Sequence, residues 1–283
     1  MLKQVTALCL IIFICASTVS VAQTLDGSPY TPGKDANIDL YINSWKNSES
    51  RITHGSLVER DILTRGNHLK PPRKGAVLEY VKRFAHAALS PGTSTEPTRL
   101  KSEQEIFYIL SGKGSIKAGR KKADLYSGIC VLIPANREFT MTNTGDEPLT
   151  MYLICEPTPD GFKPKKNMAV TDENTSPIVS TTGHWCHIVK SLFGNNDGLA
   201  TITGLITVAV DPMTIPHPHS HNGEFEEVWT AIKGTSLGWI GKQIRIQPPG
   251  TGYLIPPDGN TPHTNINTSK EQVKFLYFAV NKN

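Results

Sequence analysis

Two stretches of this 283-residue chain decide the fold, EIFYILSGKGSI at Glu105–Ile116 and EVWTAIKGTSLGWI at Glu227–Ile240. In each stretch, the opening glutamate is followed seven residues later by a glycine, Gly112 or Gly234. Both stretches are rich in the aromatic and β-branched residues that favour β-strands. The two stretches therefore predict equivalent strands in two related halves of the chain.

The likeness extends outward from these stretches in both directions. Upstream, LSPG at 89–92 matches VDPM at 210–213, and downstream residues 128–154 match residues 250–278. The separation stays between 121 and 124 positions throughout. Self-similarity at a nearly constant period is the signature of a repeated structural unit, so the chain is predicted to be an internal duplication.

Each copy consists of short runs rich in Val, Ile, Tyr, Phe and Thr, separated by Gly, Pro, Asn and Asp. Such runs at spacings of about 8–12 residues are typical of β-sandwiches and barrels. We therefore predict an all-β fold of two duplicated units of about 100 residues, each a sandwich or a barrel, although residues 36–45 have a mild helical spacing. The expected divisions are a signal peptide at 1–22, a short N-terminal arm at 23–54, an N-terminal barrel at 55–158, a linker at 159–182 and a C-terminal barrel at 183–283.

The N-terminus has the features of a secretory signal peptide. Lys3 precedes the apolar run ALCLIIFICA at 7–16, and SVA at 20–22 supplies small residues before a cleavage site. The apolar run is shorter than a membrane-spanning helix requires, so no stable membrane anchor is predicted. We expect a secreted or periplasmic protein.

Composition limits the classes of partner. The formal net charge is +4, from 29 basic and 25 acidic residues, which is too small to predict nucleic-acid binding. Without the signal peptide three cysteines remain, Cys130, Cys155 and Cys186, so the chain is not a disulfide scaffold. Cys130 and Cys155 are predicted to be buried thiols, with a bridge between them as the alternative.

The stretch PHPHSHNGEFEEVW at 216–229 is the strongest candidate for a functional site. On a β-strand, residues two apart point to the same face, so His219 and His221 would direct two imidazoles to one point. Glu226 or Glu227 can bring a carboxylate to that point, and His263 follows further along the chain. Imidazoles with one carboxylate suit a single divalent transition metal, such as Mn, Fe, Ni, Cu or Zn.

The spacing of these residues resembles the two motifs of the cupin superfamily, and the duplication resembles a two-barrel member, a bicupin. The resemblance covers about 230 residues and implies double-stranded β-helix, or jelly-roll, barrels with a metal held inside by three histidines and a glutamate. The matching residues in the second copy are His219, His221, Glu227, Gly234, Gly250, Pro257, Gly259, His263 and Asn267.

The match leaves the choice between the two adjacent glutamates open. Glu226 has the usual spacing from His221, whereas Glu227 has the usual spacing from Gly234 and matches Glu105 of the first copy. Neighbouring strand residues face opposite sides, so only one of the two can be the ligand. We favour Glu227.

The first copy lacks the metal-binding residues. Thr98 and Leu100 stand where the paired histidines are expected, Phe139 replaces the third histidine, and only Glu105 remains. A lone carboxylate among apolar groups does not hold a catalytic metal. The N-terminal barrel is therefore predicted to be structural, with support of a dimer or of a substrate lid as the alternatives.

The resemblance and the export signal together predict an exported, metal-dependent enzyme that acts on a small oxygenated substrate such as a sugar acid, another carboxylate or a diol. Lyase, isomerase, decarboxylase and dioxygenase chemistry all remain open at this point, because one fold supports many reactions. Glu226 and Glu224 are candidates for proton transfer. Trp229 and Tyr253 are candidates for substrate binding, with a place in the barrel core as the alternative.

Two further possibilities follow from the sequence. A bicupin that binds a metal or a small ligand without turnover is the alternative to an enzyme. A homodimer is also expected, because proteins that resemble this one commonly associate through sheet edges.

Overall fold

The computed structural model describes residues 35–179, 186–221 and 225–282. The described chain is nearly all β-structure, with three short 3-10 helices at Ile38–Leu40, Trp45–Asn47 and Asn195–Asp197. The first thirteen strands are β1 (Ile42–Ser44), β2 (Ser50–Thr53), β3 (Leu57–Arg65), β4 (Ala76–Leu78), β5 (Arg83–Leu89), β6 (Glu103–Ser111), β7 (Gly114–Ala118), β8 (Lys121–Leu125), β9 (Ile129–Ile133), β10 (Phe139–Asn143), β11 (Leu149–Pro157), β12 (Ala169–Asp172) and β13 (Ile178–Val179). The remaining eight are β14 (His187–Gly194), β15 (Gly204–Val210), β16 (Phe225–Lys233), β17 (Ser236–Ile240), β18 (Gln243–Gln247), β19 (Thr251–Leu254), β20 (His263–Ile266) and β21 (Val273–Asn281).

Each half of the chain forms one large and one small sheet, and all strand pairs are antiparallel except β3 with β4. In the N-terminal half, the large sheet has the order β12-β9-β6-β11-β5-β3-β2, with β4 beside β3, and the small sheet has the order β10-β7-β8. In the C-terminal half, the large sheet has the order β1-β19-β16-β21-β15-β14-β13, and the small sheet has the order β18-β17-β20. The predicted all-β fold of two tandem barrels is confirmed.

Both central strands end at the glycine that the duplication singled out. Gly112 follows β6 at φ +88°, and Gly234 follows β16 at φ +77°. A Cβ atom at Gly112 would lie 2.6 Å from the Pro148 carbonyl oxygen, and one at Gly234 would lie 3.0 Å from a Val273 side-chain carbon. Both copies therefore keep glycine because the left-handed turn and the close approach exclude a side chain.

Three hydrophobic cores hold the molecule together. One fills the N-terminal barrel around Phe107, and another fills the C-terminal barrel around Phe275. The third lies between the two large sheets and joins both halves, with Phe84 and Phe278 in edge-to-face contact at 5.4 Å between ring centroids. Since both faces of each large sheet are covered, the central strands are buried along nearly their whole length.

The N-terminal arm and the linker predicted from the sequence are parts of the sheets. In the arm, β1 pairs with β19 of the C-terminal barrel, and Ile38 and Ile42 are buried in that barrel's core. In the predicted linker, β12 pairs with β9 of the N-terminal barrel. Within 36–45, the predicted helical spacing corresponds to the short 3-10 helix Ile38–Leu40, whereas Ile42–Ser44 are extended because they pair with the open edge of β19.

The cysteines and the hydropathy of the helices add two findings. Cys130, Cys155 and Cys186 are free thiols, and the first two are buried, so the alternative of a bridge is wrong. Among the described helices, none is long and apolar enough to cross a membrane.

Two buried carboxylates connect the barrels in a nearly symmetrical way. Glu226 of the C-terminal barrel accepts hydrogen bonds from the backbone N–H groups of Glu79, Tyr80 and Val81, at 2.6, 3.1 and 3.3 Å. Glu156 of the N-terminal barrel accepts three from the equivalent turn at 200–202. Each carboxylate therefore satisfies backbone donors that would otherwise be buried without a partner.

Replacing either carboxylate should loosen the contact between the barrels. Glu226→Ala leaves three backbone donors without their acceptor, and each such loss costs about 1–3 kcal/mol. We expect Glu226→Ala, and likewise Glu156→Ala, to lower the free energy of unfolding by about 3 kcal/mol or more, measured by urea denaturation.

Glu138 provides the control for this measurement. Its ion pair with Arg99 is exposed on both sides, at 55% and 56% of the side-chain area. Glu138→Ala should therefore change the free energy of unfolding by less than about 0.5 kcal/mol. An effect of Glu226→Ala as small as that of Glu138→Ala would show that the carboxylate does not connect the barrels.

Candidate functional site

Four side chains from three segments of the C-terminal barrel meet in its interior. They are His219, His221, Glu227 and His263, and one potential ligand atom from each lies within 4.8 Å of the others. Glu227 Oε2 lies 2.5 Å from His221 Nε2, and Glu227 Oε1 lies 3.0 Å from His263 Nε2. The rings of His219 and His263 are 4.4 Å apart between centroids. The structure thus brings together all four residues of the predicted metal set.

Backbone hydrogen bonds fix the histidines in this arrangement. His219 and His263 exchange two backbone hydrogen bonds in an isolated bridge, and the His221 carbonyl accepts one from Gly259. The sequence predicted a regular strand through His219 and His221, but only this bridge forms. Pro216 and Pro218 have no N–H groups to donate, so a continuous ladder of hydrogen bonds cannot run through this segment.

The electrostatics of the cluster favour the ionised form of Glu227 and the neutral form of His219. Burial of Glu227 favours its protonated form, but His263 and His221 outweigh burial and hold the pKa of Glu227 well below its usual range. Burial, reinforced by the nearby His263, lowers the pKa of His219 to about 4. At neutral pH, Glu227 is therefore an anion and His219 has a lone pair available for a metal ion.

These four residues fit a divalent transition metal. Nitrogen and oxygen ligands bind such ions at about 2.0–2.2 Å, so two ligand atoms on one ion are at most about 4.3 Å apart. The observed limit of 4.8 Å exceeds this by only a few tenths of an ångström, which side-chain rotation can remove. Among the described residues, this is the only such group of three or more His, Cys, Asp or Glu.

The two predicted substrate-binding residues lie in the barrel core. Trp229 is 5% exposed and Tyr253 is fully buried, and both pack in the hydrophobic core of the C-terminal barrel. The Trp229 indole N–H donates a short hydrogen bond to Glu227 Oε1, and the Tyr253 hydroxyl donates to Asn265. Their positions agree with the alternative given from the sequence, a place in the barrel core, from which Trp229 orients the carboxylate.

Of the two carboxylates predicted for proton transfer, Glu226 does not lie beside the cluster. Glu226 faces the opposite side of β16 from Glu227 and binds backbone N–H groups of the other barrel. Burial raises the pKa of Glu226 to about 7, while the three backbone donors act in the opposite direction. The pleat of the strand excludes Glu226 from the site, so the prediction for it is wrong. Glu224 lies outside the described residues.

The N-terminal barrel contains the equivalent position without the ligands. Thr98 and Phe139 form an isolated bridge that corresponds to the bridge between His219 and His263. Glu105, the counterpart of Glu227, is fully buried and accepts a hydrogen bond from Arg83 Nη2 at 2.9 Å. A guanidinium from the same barrel thus neutralises the carboxylate.

His54, which sequence reasoning missed, occupies this position in the N-terminal barrel. Its Nδ1 lies 3.1 Å from Thr98 Oγ1, its Nε2 lies 3.3 Å from Glu105 Oε2, and its ring packs against Phe139 at 5.5 Å. His54 therefore contacts the counterparts of three of the four C-terminal cluster residues. It comes from the turn between β2 and β3 at φ +49°, and no motif spacing pointed to it.

The lowered pKa of His219 predicts a pH dependence of stability in the metal-free protein. In the unfolded chain a histidine gains its proton near pH 6.5, whereas folded His219 gains it only near pH 4. The unfolded state binds more protons between these values, so this contribution to the free energy of unfolding declines as the pH falls through this window. His219→Gln removes the effect, and its stability should decline less than that of the wild type between pH 6.5 and 4.5.

Urea denaturation after chelator treatment measures this difference. His217→Gln is the matched control, because His217 lies in the same segment but outside the cluster. It should follow the wild type. Glu226, whose raised pKa contributes with the opposite sign, is common to all three proteins and cancels in the comparison. Equal pH profiles for His219→Gln and the wild type would contradict the assignment.

Comparison with known proteins identifies solved structures of similar fold and a family match within the N-terminal barrel. The cupin domain family model matches residues 85–155, which lie in the barrel that lacks the ligands. No curated protein matches the chain in sequence. Among solved structures, the 7S globulin of Momordica charantia is 13% identical with a TM-score of 0.64, and the match covers 86% of this chain and 84% of the globulin.

Two bacterial proteins of known structure also have a fold similar to that of this chain. A variant of the oxalate decarboxylase of Bacillus subtilis is 14% identical with a TM-score of 0.64, over 88% of this chain and 81% of the decarboxylase. A proposed glyoxylate-induced protein of Pseudomonas aeruginosa is 12% identical with a TM-score of 0.68, over 90% and 95% of the two chains. At these identities the likeness shows the fold and not the activity. Residues 85–155 thus match the cupin domain family, the fold of the chain as a whole is like that of these solved structures, and the C-terminal half carries a cluster of three histidines and a glutamate.

Proposed function

We propose that this protein is an exported, metal-dependent cupin enzyme that acts on a small oxygenated substrate in its C-terminal barrel. The cluster of His219, His221, Glu227 and His263 carries the proposal. Three imidazoles and one carboxylate can leave coordination positions open for a substrate on an ion that accepts five or six ligands. Export rests on the signal peptide predicted at 1–22, which lies outside the described residues.

A bound divalent ion would supply Lewis acidity toward substrate oxygens, or a site for oxygen chemistry. The chain itself would fix the ligands before the substrate arrives. The indole of Trp229 holds Glu227 from inside the core, and the backbone bridge to His263 fixes His219. Such outer contacts orient ligands and sharpen metal affinity. The apolar core beneath the cluster keeps bulk water out on that side.

Binding without turnover is the second candidate, and one observation favours it. Glu226, the carboxylate proposed for proton transfer, faces away from the cluster. An enzyme of this design would therefore move protons through the ligand sphere or through Glu224. Incubating the metal-loaded protein with carboxylates, sugar acids and diols separates the two candidates. An enzyme would convert one of these compounds to product, whereas a binding protein would bind it without forming product. A homodimer remains a prediction.

Metal content tests the proposal directly. Full-length protein should carry about one Mn, Fe, Ni, Cu or Zn ion per chain, measured by elemental analysis after extensive dialysis. Glu227→Gln and His263→Gln should lower the affinity for that ion by about 100-fold or more, because each removes a direct ligand, and loss of an outer contact alone costs about 10–100-fold.

His217→Gln is again the matched control and should retain the ion, because His217 lies outside the cluster. Unchanged metal content in Glu227→Gln, or an equal loss in His217→Gln, would contradict the assignment of the cluster. Circular dichroism of each variant would show that the fold is intact before metal content is compared.

A further inference from the structure

A cavity of about 470 Å³ lies next to the histidine cluster in the C-terminal barrel. Seven described residues line it, contributed by β15, β16, β21 and the turn before β15. We call it the β15–β21 pocket. Its volume is that of a site for a small molecule.

The walls of the β15–β21 pocket are in contact with the cluster. Phe225 lines the pocket and packs its ring on His221 at 4.1 Å between centroids. Ala279, another lining residue, is the cross-strand partner of Glu227. Cross-strand partners point to the same face of a sheet, so the pocket and the carboxylate share the barrel interior. A ligand in the pocket would therefore lie beside the cluster.

None of the seven described lining residues carries a formal charge at neutral pH. The polar groups are the amides of Asn195 and Asn281 and the hydroxyls of Thr203 and Tyr277. Amides and hydroxyls match the hydroxyl groups of a ligand, although the Thr203 hydroxyl already donates to the Ala279 carbonyl at 3.0 Å and is left to accept. Phe225 and Tyr277 add aromatic surface that suits the C–H faces of such a molecule.

The net charge of the metal site limits how many negative charges a ligand can carry. A divalent ion with one carboxylate ligand and otherwise neutral imidazoles carries a net charge of +1, which can balance one anionic group of a ligand. A second carboxylate would find no positively charged side chain among the described lining residues to pair with. A dicarboxylate is therefore a poor fit to the described walls.

We infer that the β15–β21 pocket binds a polyhydroxylated compound, a sugar, a polyol or a sugar acid with at most one carboxylate, in preference to a dicarboxylate. This inference rests on the proposed function, because it assigns the substrate class of the same metal site. The hydroxyls next to the ion would enter its open positions, and the remaining hydroxyls would bind the amides and hydroxyls of the pocket.

Gly204 offers a way to close the pocket without disturbing the fold. It lines the pocket on β15, directly opposite Ala279 in the register. A Cβ atom at Gly204 would meet nothing within 4 Å, and its φ lies outside the left-handed region. Gly204→Leu should therefore fold normally and fill the space beside the cluster. Ser50→Leu is the matched control, because Ser50 is exposed on β2 of the other barrel.

Ligand binding to the full-length protein loaded with Mn²⁺ tests the inference. The probes are gluconate, galacturonate and xylitol as polyhydroxy compounds, and oxalate and malonate as dicarboxylates. Affinity is read from the relaxation rate of water protons, with protein-bound Mn²⁺ measured before and after each titration. At least one polyhydroxy probe should bind about tenfold more tightly than either dicarboxylate. Gly204→Leu should weaken that probe about tenfold or more at unchanged Mn²⁺ content, and Ser50→Leu should not.

The outcomes separate the inference from the proposed function. Tighter binding of oxalate or malonate by a protein that holds Mn²⁺ would overturn the substrate class and leave the metal site standing. Undiminished binding of the polyhydroxy probe by Gly204→Leu would overturn the assignment of the pocket. A wild-type protein that takes up no Mn²⁺, or any other ion of this group, would overturn the proposed function and the inference together.

Discussion

The pleat of strand β16 points two adjacent glutamates to opposite faces of the sheet, so that one contacts the other barrel and one contacts the histidine cluster. Glu226 points toward the other barrel and accepts three backbone hydrogen bonds, whereas Glu227 points into its own barrel and meets His221 and His263. A shift of register by one residue would exchange these faces and destroy both arrangements. The contact that joins the barrels and the contact that builds the metal cluster are therefore fixed by the same strand register.

The two barrels show two ways to stabilise one buried carboxylate. In the C-terminal barrel, Glu227 is surrounded by imidazoles that can share it with a metal ion. In the N-terminal barrel, Glu105 is neutralised by Arg83, and His54 fills the equivalent position. A buried carboxylate requires a positive partner or several donors. In the first copy, which lacks the histidine ligands, Arg83 and His54 of the same barrel therefore stabilise the buried charge of Glu105.

The segments that flank the N-terminal barrel make the two halves interdependent. Strand β1 comes before the first barrel in sequence and completes the large sheet of the second, while β12 follows the first barrel and completes its sheet. With the shared core around Phe84 and Phe278, these edge strands leave no boundary in the described chain at which the halves could separate without exposing apolar surface. The metal cluster is accordingly built on a rigid support, which a preorganised site requires.

The sequence by itself determined the duplication, the all-β two-barrel fold, the three cluster histidines with a neighbouring pair of glutamates, and the absence of these histidines from the first copy. These features depend on residue type and on spacing along the chain, which a single sequence contains. Only the tertiary structure decided which neighbouring glutamate faces the cluster, that Trp229 supports a ligand from the core, that β1 and β12 extend the sheets, and that His54 replaces the missing ligands. Each of these depends on contacts between segments far apart in the chain or on the register of a strand, and local spacing carries no information about which distant partner a segment meets.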